Sequence, residues 1–198
     1  TDGDIHLYLN NVVADKLTYK KDSKDKLILQ NFVQEKSGEQ VLRIKFANTT
    51  EPIPYSVDLK WYTKKPPTND QCKVALSTTL GTATVRLNET VRLSVSLRNK
   101  TNTGLPMTVA VIGIPAGLST QPWQLKELQE KEVFDFYEIK DGNLVLYYRE
   151  LAPNGNLRIN LDLKAEVPGS YLGSASSAYL YYTNEYKHWV NGNSIAIQ

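Results

Sequence analysis

Hydrophobic and polar residues alternate along most of the chain, and this period of two is typical of β-strands with one buried face. The longest alternation covers residues 157–167, where every second residue is apolar. Shorter alternating runs cover residues 5–9, 42–46, 55–61 and 91–97. Turn-forming residues separate the runs at positions 10–11, 37–38, 141–142, 153–155 and 168–169. The sequence therefore predicts an all-β protein built mainly from antiparallel strands.

One segment departs from this pattern and predicts a short helix inserted between strands. Residues 119–131 read STQPWQLKELQEK, with a serine or threonine cap, a proline near the first turn and good helix formers after it. Glu127 and Lys131 are spaced to form a favourable pair one turn apart. The apolar residues predicted to face the sheet are Trp123, Leu125 and Leu128.

A segment rich in proline and polar residues, KKPPTND at 64–70, interrupts the strand patterns on both sides. We expect a domain boundary here, because adjacent prolines cannot continue a strand ladder. The division predicts a small β segment over residues 1–65 and a larger domain over residues 66–198. The larger part is long enough for an antiparallel β-sandwich of the immunoglobulin-like kind with its own core, whereas the first part is short and is expected to be half of a sheet completed elsewhere.

Composition is that of an ordinary globular protein, since 41% of the residues are hydrophobic and 22% are charged. The net charge of +2 is too small, and the charges too scattered, to predict a nucleic acid as partner. No apolar run approaches the roughly 18 residues that a membrane span needs, so no membrane insertion is expected. The chain opens on a strand-like pattern instead of a secretion signal, and we interpret it as a piece of a longer polypeptide.

Residues that carry chemistry are few. The single cysteine, Cys72, and the two histidines, His6 and His188, give no metal-ligand spacing. Glycine-rich nucleotide-binding motifs are absent from the sequence, so no cofactor is expected. We expect Cys72 to pack as a small hydrophobic residue and the histidines to be solvent-facing or hydrogen-bonded. No catalytic residue is assigned, and the chain is predicted not to be an enzyme.

Two kinds of short motif bear on function. Residues 37–40 read Ser-Gly-Glu-Gln, whereas an internal thioester forms between the cysteine and the glutamine of a Cys-Gly-Glu-Gln run. Because the serine cannot form a thioester, we interpret this run as a hairpin turn that leads into the strand at 41–46. Glycosylation sequons, which matter only in a eukaryotic secretory pathway, begin at Asn48, Asn88 and Asn99.

An aromatic stretch at residues 176–192, SSAYLYYTNEYKHWVNG, contains four tyrosines and a tryptophan. Exposed rings beside positive charge can stack on nucleic-acid bases, but Lys187 is the only firm cation here and Glu185 opposes it. Parity assigns Ala178, Leu180 and Tyr182 to one face of a strand, and Tyr179, Tyr181 and Thr183 to the other. The stretch therefore favours a strand of a sandwich, buried on one face and partly covered on the other.

Four signatures in the second part of the chain belong together. They are PMTVAV followed by IPAGL at 106–118, FYEI at 136–139, LKAEVPG at 163–169, and AYLYYT followed by Glu185 at 178–185. In this order, with the predicted helix between the first and second, they resemble the last domain of alpha-2-macroglobulin family proteins. The resemblance covers residues 72–198 and implies the macroglobulin or receptor-binding domain, a β-sandwich with an inserted helix. Residues 1–64 resemble the CUB-type segment that follows the thioester domain in these proteins.

The resemblance implies a scaffold that is not catalytic. Full-length relatives trap proteinases or act as complement-like factors, and cleavage triggers a conformational change that exposes a thioester. This chain contains neither a bait region nor the thioester motif. It would restrain the thioester domain before activation, with the thioester domain and neighbouring macroglobulin domains as partners, and a cell-surface receptor or a proteinase as further ones. An extracellular or cell-surface location is expected.

In vertebrate members of this family, a lysine pair four residues apart on the inserted helix engages lipoprotein receptor-related proteins. Aligned from Gly117, the second lysine falls on Lys126 and the first on Pro122, so half of the pair is missing. Lys131 supplies another positive charge on the other side of Lys126. Lys126 and Lys131 are therefore the candidate partner-binding residues, with a solvated helix face as the simpler interpretation.

Two other classes of function remain open. A stand-alone β-sandwich for adhesion or carbohydrate binding predicts that exposed tyrosine and tryptophan rings form a flat patch. An enzyme that uses Cys72 predicts a solvent-exposed thiol with a basic or imidazole neighbour.

Overall fold

The computed structural model describes residues 2–22, 27–29, 38–49, 52–58, 60 and 62–198. The chain forms two compact units, Thr1–Lys60 and Trp61–Gln198. Strands dominate both units, and one short α-helix lies in the second, so the predicted all-β class is confirmed.

The first unit is a three-stranded antiparallel sheet in the order β2-β1-β3. The strands are β1 (Gly3–Leu9), β2 (Val12–Tyr19) and β3 (Leu42–Ala47). Alternation along β1 buries Ile5 and Leu7 and leaves the residues between them half-buried. Asn10 and Asn11 both have positive φ (50° and 68°), the conformation of a tight hairpin turn that asparagine tolerates better than most residues.

One predicted strand is not present in the described part of the first unit. Residues 52–58 have no regular structure, and Tyr55 and Val57 are exposed. Pro52 and Pro54 explain the difference, because proline has no backbone N–H to donate to a strand ladder. Several residues of the sequence interpretation lie outside the described residues, namely Ser37 of the Ser-Gly-Glu-Gln run, Leu59 and Trp61.

The second unit is a β-sandwich of a five-stranded and a four-stranded antiparallel sheet, with a small third sheet beside them. The five-stranded sheet has the order β14-β13-β7-β10-β9, the four-stranded sheet β4-β6-β11-β8 and the small sheet β12-β15-β5. The strand bounds are β4 (Val74–Leu80), β5 (Thr84–Val85), β6 (Thr90–Asn99), β7 (Leu105–Gly113), β8 (Leu118–Ser119), β9 (Phe136–Lys140), β10 (Asn143–Leu151), β11 (Asn156–Ala165), β12 (Gly169–Leu172), β13 (Ser176–Leu180), β14 (His188–Val190) and β15 (Ser194–Ile197).

The core lies between the two large sheets and follows directly from the alternation in the sequence. On the four-stranded side, β6 and β11 direct every second residue inward, as Leu93 and Leu161 do. On the five-stranded side, the inward residues include Ile112 and Leu144. The small sheet adds β15, which pairs with β12 in antiparallel and with β5 in parallel orientation and contributes its isoleucines to the same core.

The predicted helix is present as α1 (Pro122–Glu130) and begins two residues later than a cap at Ser119 would place it. Gln121 is the N-cap and makes no side-chain capping bond, and proline occupies the first helical position. Leu125 is 1% exposed, but Trp123 is 62% exposed, so the prediction that Trp123 faces the sheet is wrong. Positions two apart on a helix point to nearly opposite sides, and Leu125 takes the buried side with partly buried Leu128.

Helix α1 connects the two large sheets at one side of the sandwich. It lies near β9, the edge strand of the five-stranded sheet. Its Gln124 side chain accepts a hydrogen bond from the backbone N–H of Asp162 in β11, at 2.9 Å. The helix therefore covers part of a strand that β8 leaves unpaired, which is one of the usual ways of protecting a sheet edge.

The predicted proline-rich boundary segment, 64–70, runs alongside an edge strand of the second unit. Asn69 N–H donates to the carbonyl of Lys187, and Thr68 exchanges hydrogen bonds with the backbone of Trp189. The identification of residues 1–65 as CUB-like and of residues 66–198 as a receptor-binding domain stays a prediction.

Candidate functional site

The lysines predicted to bind a partner both lie at helix α1, and each one already has an acidic neighbour. Lys126 Nζ lies 3.8 Å from a carboxylate oxygen of Glu130, and Lys131 Nζ lies 2.5 Å from one of Glu127. The lysine side chains are 75% and 63% exposed, so these ion pairs are weak and easily exchanged. The predicted pair of Glu127 and Lys131 is confirmed, while the partner-binding role of the lysines stays a prediction.

Cys72 is buried in the core of the sandwich, and the half-buried His188 of β14 bonds to the backbone of β4. Cys72 is buried, and its thiol points toward the carbonyl oxygens of Val74 (3.4 Å) and Ala178 (3.6 Å). It packs as the small hydrophobic residue that the sequence predicts. His188 Nδ1 accepts a hydrogen bond from the backbone N–H of Leu76, at 3.3 Å. The pKa of His188 is lowered by burial first and then by nearby Lys100 and Lys65.

The remaining titratable residues do not assemble a metal site within the described ranges. No group of three or more histidine, cysteine or acidic side chains there has the geometry to hold an ion. The ring of His6 lies against that of Tyr8, with the ring centroids 6.2 Å apart. Along the sequence, His6 is far from Cys72 and from His188. Among the helical residues that the structure describes, none forms a helix of the length and apolarity that crossing a bilayer requires.

The aromatic stretch forms a strand only in its first part. Strand β13 ends at Leu180, and a 3₁₀ turn, Tyr181–Thr183, follows. Parity therefore holds for buried Ala178 and its neighbour Tyr179, but Tyr182 is 76% exposed instead of sharing the face of Ala178. The two-residue period applies only to extended backbone, so the prediction for Tyr182 is wrong.

The outer face of the five-stranded sheet carries a row of rings that crosses four strands. Register places Tyr179 of β13 beside Val109 of β7, Val109 beside Tyr147 of β10, and Tyr147 beside Phe136 of β9. The next row contains Trp189 of β14 and, at its far end, Glu138 of β9. We call this surface the aromatic face and define it by Val109, Phe136, Glu138, Tyr147, Tyr179, Lys187 and Trp189.

The rings of the aromatic face shield the sheet beneath them. Val109 points outward yet is only 1% exposed, because tyrosines flank it on both sides. Phe136, at the end of the row, is 55% exposed. Its ring centroid lies 5.8 Å from that of Tyr147, with the ring planes inclined by 43°. Side chains of this kind pack edge on and hold one another in place.

Polar contacts fix the two tyrosines of the row. Tyr147 Oη donates a 2.5 Å hydrogen bond to Glu138 Oε1, and this bond, together with burial, raises the pKa of Tyr147 to about 12. Lys187 Nζ lies 4.5 Å from the ring centroid of Tyr179 and 5.8 Å from that of Trp189. A cation over an aromatic ring is attracted by the negative face of the ring. Contacts within this unit therefore hold both rings in place.

A shallow depression lies at the end of the aromatic face. It is lined by Met107, Asp135, Phe136, Tyr147, Tyr148 and Arg149. Asp135 accepts the backbone N–H of Arg149 at 2.7 Å and lies 3.5 Å from its guanidinium. The depression thus offers apolar walls and one surface ion pair, and it continues the aromatic face toward β9.

The opposite side of the sandwich is polar. On the outer face of the four-stranded sheet, Ser94 and Ser96 donate hydrogen bonds to Asn160 (2.9 Å) and Asn156 (2.7 Å). Arg92 makes two hydrogen bonds to Asp162, at 2.9 and 3.0 Å, and these lower the pKa of the carboxyl group. A solvated antiparallel sheet normally has such an outer face.

Sequence reasoning placed Tyr179 on the face of its strand opposite Ala178 but missed the rest of the aromatic face. Phe136 and Tyr147 lie outside the aromatic stretch, and only the pairing of strands brings them beside it. One signal was available. The turn at Asp141-Gly142 pairs β9 with β10 and sets Phe136 opposite Tyr147, and a two-residue Asp-Gly turn predicts that register.

No protein-family model and no curated protein matches the chain. Solved structures do match it. A part of native alpha-2-macroglobulin from Escherichia coli, from domain MG7 to the C-terminus, is similar over 98% of this chain and 33% of its own, with a TM-score of 0.60 and 11% identity. Salmonella alpha-2-macroglobulin reacted with methylamine is similar over 98% of this chain and 13% of its own, with a TM-score of 0.57 and 11% identity.

Trypsin-activated alpha-2-macroglobulin from Escherichia coli is similar over 100% of this chain and 15% of its own, with a TM-score of 0.53 and 11% identity. The chain therefore spans a third or less of the length of the structures it matches. At these identities the likeness shows the fold, which is that of the C-terminal regions of bacterial alpha-2-macroglobulins. The fold that the sequence signatures imply is thus confirmed.

Proposed function

We propose that the chain is a non-catalytic scaffold and interaction region in the C-terminal part of an alpha-2-macroglobulin family protein that traps or inhibits proteinases, or acts as a complement-like factor. One observation carries the proposal: 98% or more of the chain, across both of its compact units, is matched by bacterial alpha-2-macroglobulins. Within this proposal, residues 1–65 are the CUB-type segment and residues 66–198 the receptor-binding domain. The protein acts outside the cell or at its surface.

A scaffold of this kind needs a rigid body and surfaces that other domains can contact. The closely packed core between the two large sheets supplies rigidity, because buried side chains cannot shift without opening cavities. Thioester and macroglobulin domains of the parent polypeptide are the first partners. A receptor or a proteinase is a further partner, with Lys126 and Lys131 as the residues that would contact it.

Trapping can be tested with the whole polypeptide that the gene encodes. Trypsin is mixed with the polypeptide, and its activity is then measured on a small chromogenic peptide and on a large protein substrate. We expect activity on the peptide to persist and activity on the protein to fall severalfold, because a trapped proteinase is shielded from large substrates only. The 198-residue chain alone is the control and should change neither activity.

Two results would remove the proposal. One is a gene whose product ends near these 198 residues, since the scaffold would then have nothing to support. The other is a longer polypeptide that leaves the cleavage of the protein substrate by trypsin unchanged, in both the native and the methylamine-treated form.

The described rings do not form the flat patch that a carbohydrate-binding module predicts. Phe136 and Tyr147 are inclined by 43°, and Tyr181 and Tyr182 by 83°. The ring of Tyr179 has Lys187 over its face. These orientations favour a protein as the partner, because a protein surface can fit an uneven surface, whereas a sugar ring stacks on a flat aromatic one.

A further inference from the structure

The contrast between the two outer faces of the sandwich indicates that one of them meets something other than water. Serine, asparagine and paired charges cover the four-stranded sheet, as on a solvated surface. The five-stranded sheet carries Phe136, Tyr147, Tyr179 and Trp189 instead. Both faces belong to the same compact unit, so the overall composition of the chain does not explain the difference.

The composition of the aromatic face is that of the centre of a protein–protein interface. Tyrosine, tryptophan, phenylalanine, methionine and arginine are enriched at such centres, whereas lysine and glutamate are depleted there and lie at the rim. Tyr147 and Tyr179 lie on inner strands of the sheet, and Phe136 and Trp189 lie on its two edge strands. Lys187 Nζ lies over the rings of Tyr179 and Trp189, and Glu138 accepts the hydrogen bond of Tyr147, so each charge lies against a ring.

The face is already organised for binding. Glu138 holds Tyr147 through a hydrogen bond, and Lys187 lies over Tyr179. Ordering a free side chain on association costs conformational entropy, so rings that are fixed in advance bind more tightly than mobile ones.

The two charges of the aromatic face indicate the chemistry of a complementary surface. Among the residues that the structure describes, Lys187 forms no ion pair, and Glu138 contacts a phenol and no cation. Lys187 Nζ lies over Tyr179 of β13 and Glu138 is hydrogen-bonded to Tyr147 of β10, so the two charges lie over strands that are two places apart in the sheet. A complementary surface therefore has an apolar centre, an acidic group opposite Lys187 and a basic or neutral group opposite Glu138.

We propose that another domain of a longer parent polypeptide docks on the aromatic face, through an apolar surface with a carboxylate opposite Lys187. This inference rests on the proposed function, and it names the surface by which the scaffold holds its neighbour. Chains with the matching fold devote only 13–33% of their length to the matched region, so neighbouring domains are the partners at hand in such a molecule. The unequal ring orientations suit a protein relief better than a planar ligand.

Hydroxyl-radical footprinting with mass spectrometry tests the docking, because oxidation of tyrosine, phenylalanine and tryptophan reports their exposure. The 198-residue chain and the whole polypeptide that the gene encodes are labelled under the same conditions. We expect Phe136, Tyr179 and Trp189 to be modified severalfold less in the whole polypeptide. Equal modification in the two samples overturns the docking proposal.

A charge reversal in the whole polypeptide tests the predicted carboxylate. Lys187→Glu should raise the modification of Tyr179 and Trp189 more in the whole polypeptide than in the 198-residue chain that carries the same substitution, because only a docked carboxylate would then face a second negative charge. The matched control is Arg158→Glu on the polar outer face of β11, which should leave the modification unchanged. Protection that survives Lys187→Glu, or is lost equally in Arg158→Glu, overturns the assignment of Lys187.

Oligosaccharide probes test whether a carbohydrate, instead of a protein domain, binds the aromatic face. Chitohexaose and cellohexaose are added to the 198-residue chain before labelling, and neither is expected to protect the rings. Protection by either sugar overturns docking of a domain. The outcome can be told apart from that of the trapping assay. A polypeptide that traps trypsin but does not protect the rings from oxidation contradicts only the docking proposal. A polypeptide that protects the rings but does not trap trypsin contradicts only the proposed function.

Discussion

Asn99 shows how a single side chain determines what a sequence motif can do. Its amide is fully buried. The NH2 group donates to the carbonyls of Thr103 (2.7 Å) and Ala152 (2.9 Å), with the carbonyl of Leu151 at 3.5 Å, and the amide oxygen accepts from the backbone N–H and the hydroxyl of Thr101. The sequon that begins at Asn99 is therefore closed in the folded protein. By contrast, Asn88 is exposed in a turn with positive φ and stays open to modification in a glycosylating compartment.

Asn99→Ala should lower the free energy of unfolding by about 3 kcal/mol, since it leaves several buried polar groups without partners. Urea denaturation followed by tryptophan fluorescence measures the change. Asn160→Ala on the solvated face is the control and should change the free energy by less than about 0.5 kcal/mol. A loss for Asn99→Ala no larger than that of the control would show that the amide network is not stabilising.

His188 makes the stability of the sandwich depend on pH. Its pKa in the folded protein is below the ordinary value of 6.5, so the unfolded chain binds more protons just below pH 6.5. Stability is therefore fully present above pH 6.5 and is lost as the pH falls through the lower, folded pKa. Protonation also removes the acceptor that the N–H of Leu76 uses.

Replacing this imidazole should weaken the pH dependence. We expect the free energy of unfolding to decrease between pH 7.5 and pH 5 in the unmodified chain, and to decrease less in His188→Gln. His6→Gln, in the other compact unit, is the control and should keep the dependence of the sandwich transition. Equal slopes in His188→Gln and the unmodified chain would contradict the proposed role of His188.

At the scale of elements, helix α1 carries residues with two different roles: Leu125 packs in the core, and the exposed Lys126 and Lys131 are the candidate binding residues. Leu125→Ala should lower the free energy of unfolding by about 3 kcal/mol, because it opens a cavity in the core. The double variant Lys126→Ala, Lys131→Ala should leave it unchanged within error, because exposed ion pairs contribute little. Thermal denaturation of both variants measures the contrast, and a large loss in the double variant would contradict it.

Strands were predictable from the sequence wherever the backbone stays extended for many residues. The alternation in β6 and β11 gave both the strands and the buried faces, because a period of two leaves no other assignment of faces. Prediction failed where a local feature ended the extended backbone. Pro52 and Pro54 prevented the strand near Tyr55, and the 3₁₀ turn after Leu180 exposed Tyr182.

The candidate site was harder to predict, because it is made by register between distant strands. Tyr179 and Lys187 come from the aromatic stretch, but Phe136 and Tyr147 come from the preceding hairpin. Parity gives the face of each residue separately. It does not give the order of strands in the sheet, which depends on how the whole core closes.

At the scale of the whole molecule, every buried core residue of the sandwich that the structure describes lies between Cys72 and Ile197. A chain of residues 61–198 should therefore fold by itself and unfold cooperatively, with the same midpoint as the sandwich transition of the full chain. Urea denaturation of both chains measures this, and Leu93→Ala, as a control, should lower the midpoint equally in both. A truncated chain that unfolds without cooperativity would contradict the independence of this unit.

The small sheet has a consequence for how the protein is made. Its central strand is β15, and the backbone of Gln198 still exchanges hydrogen bonds with Val85 and Leu87. A ribosome releases these residues after every other strand of the sandwich has been synthesised. The strands that are synthesised first therefore cannot complete the core until β15 has been made. A polypeptide that is truncated before β15 has an open sheet edge and an incomplete core, and quality-control proteases can recognise such a polypeptide.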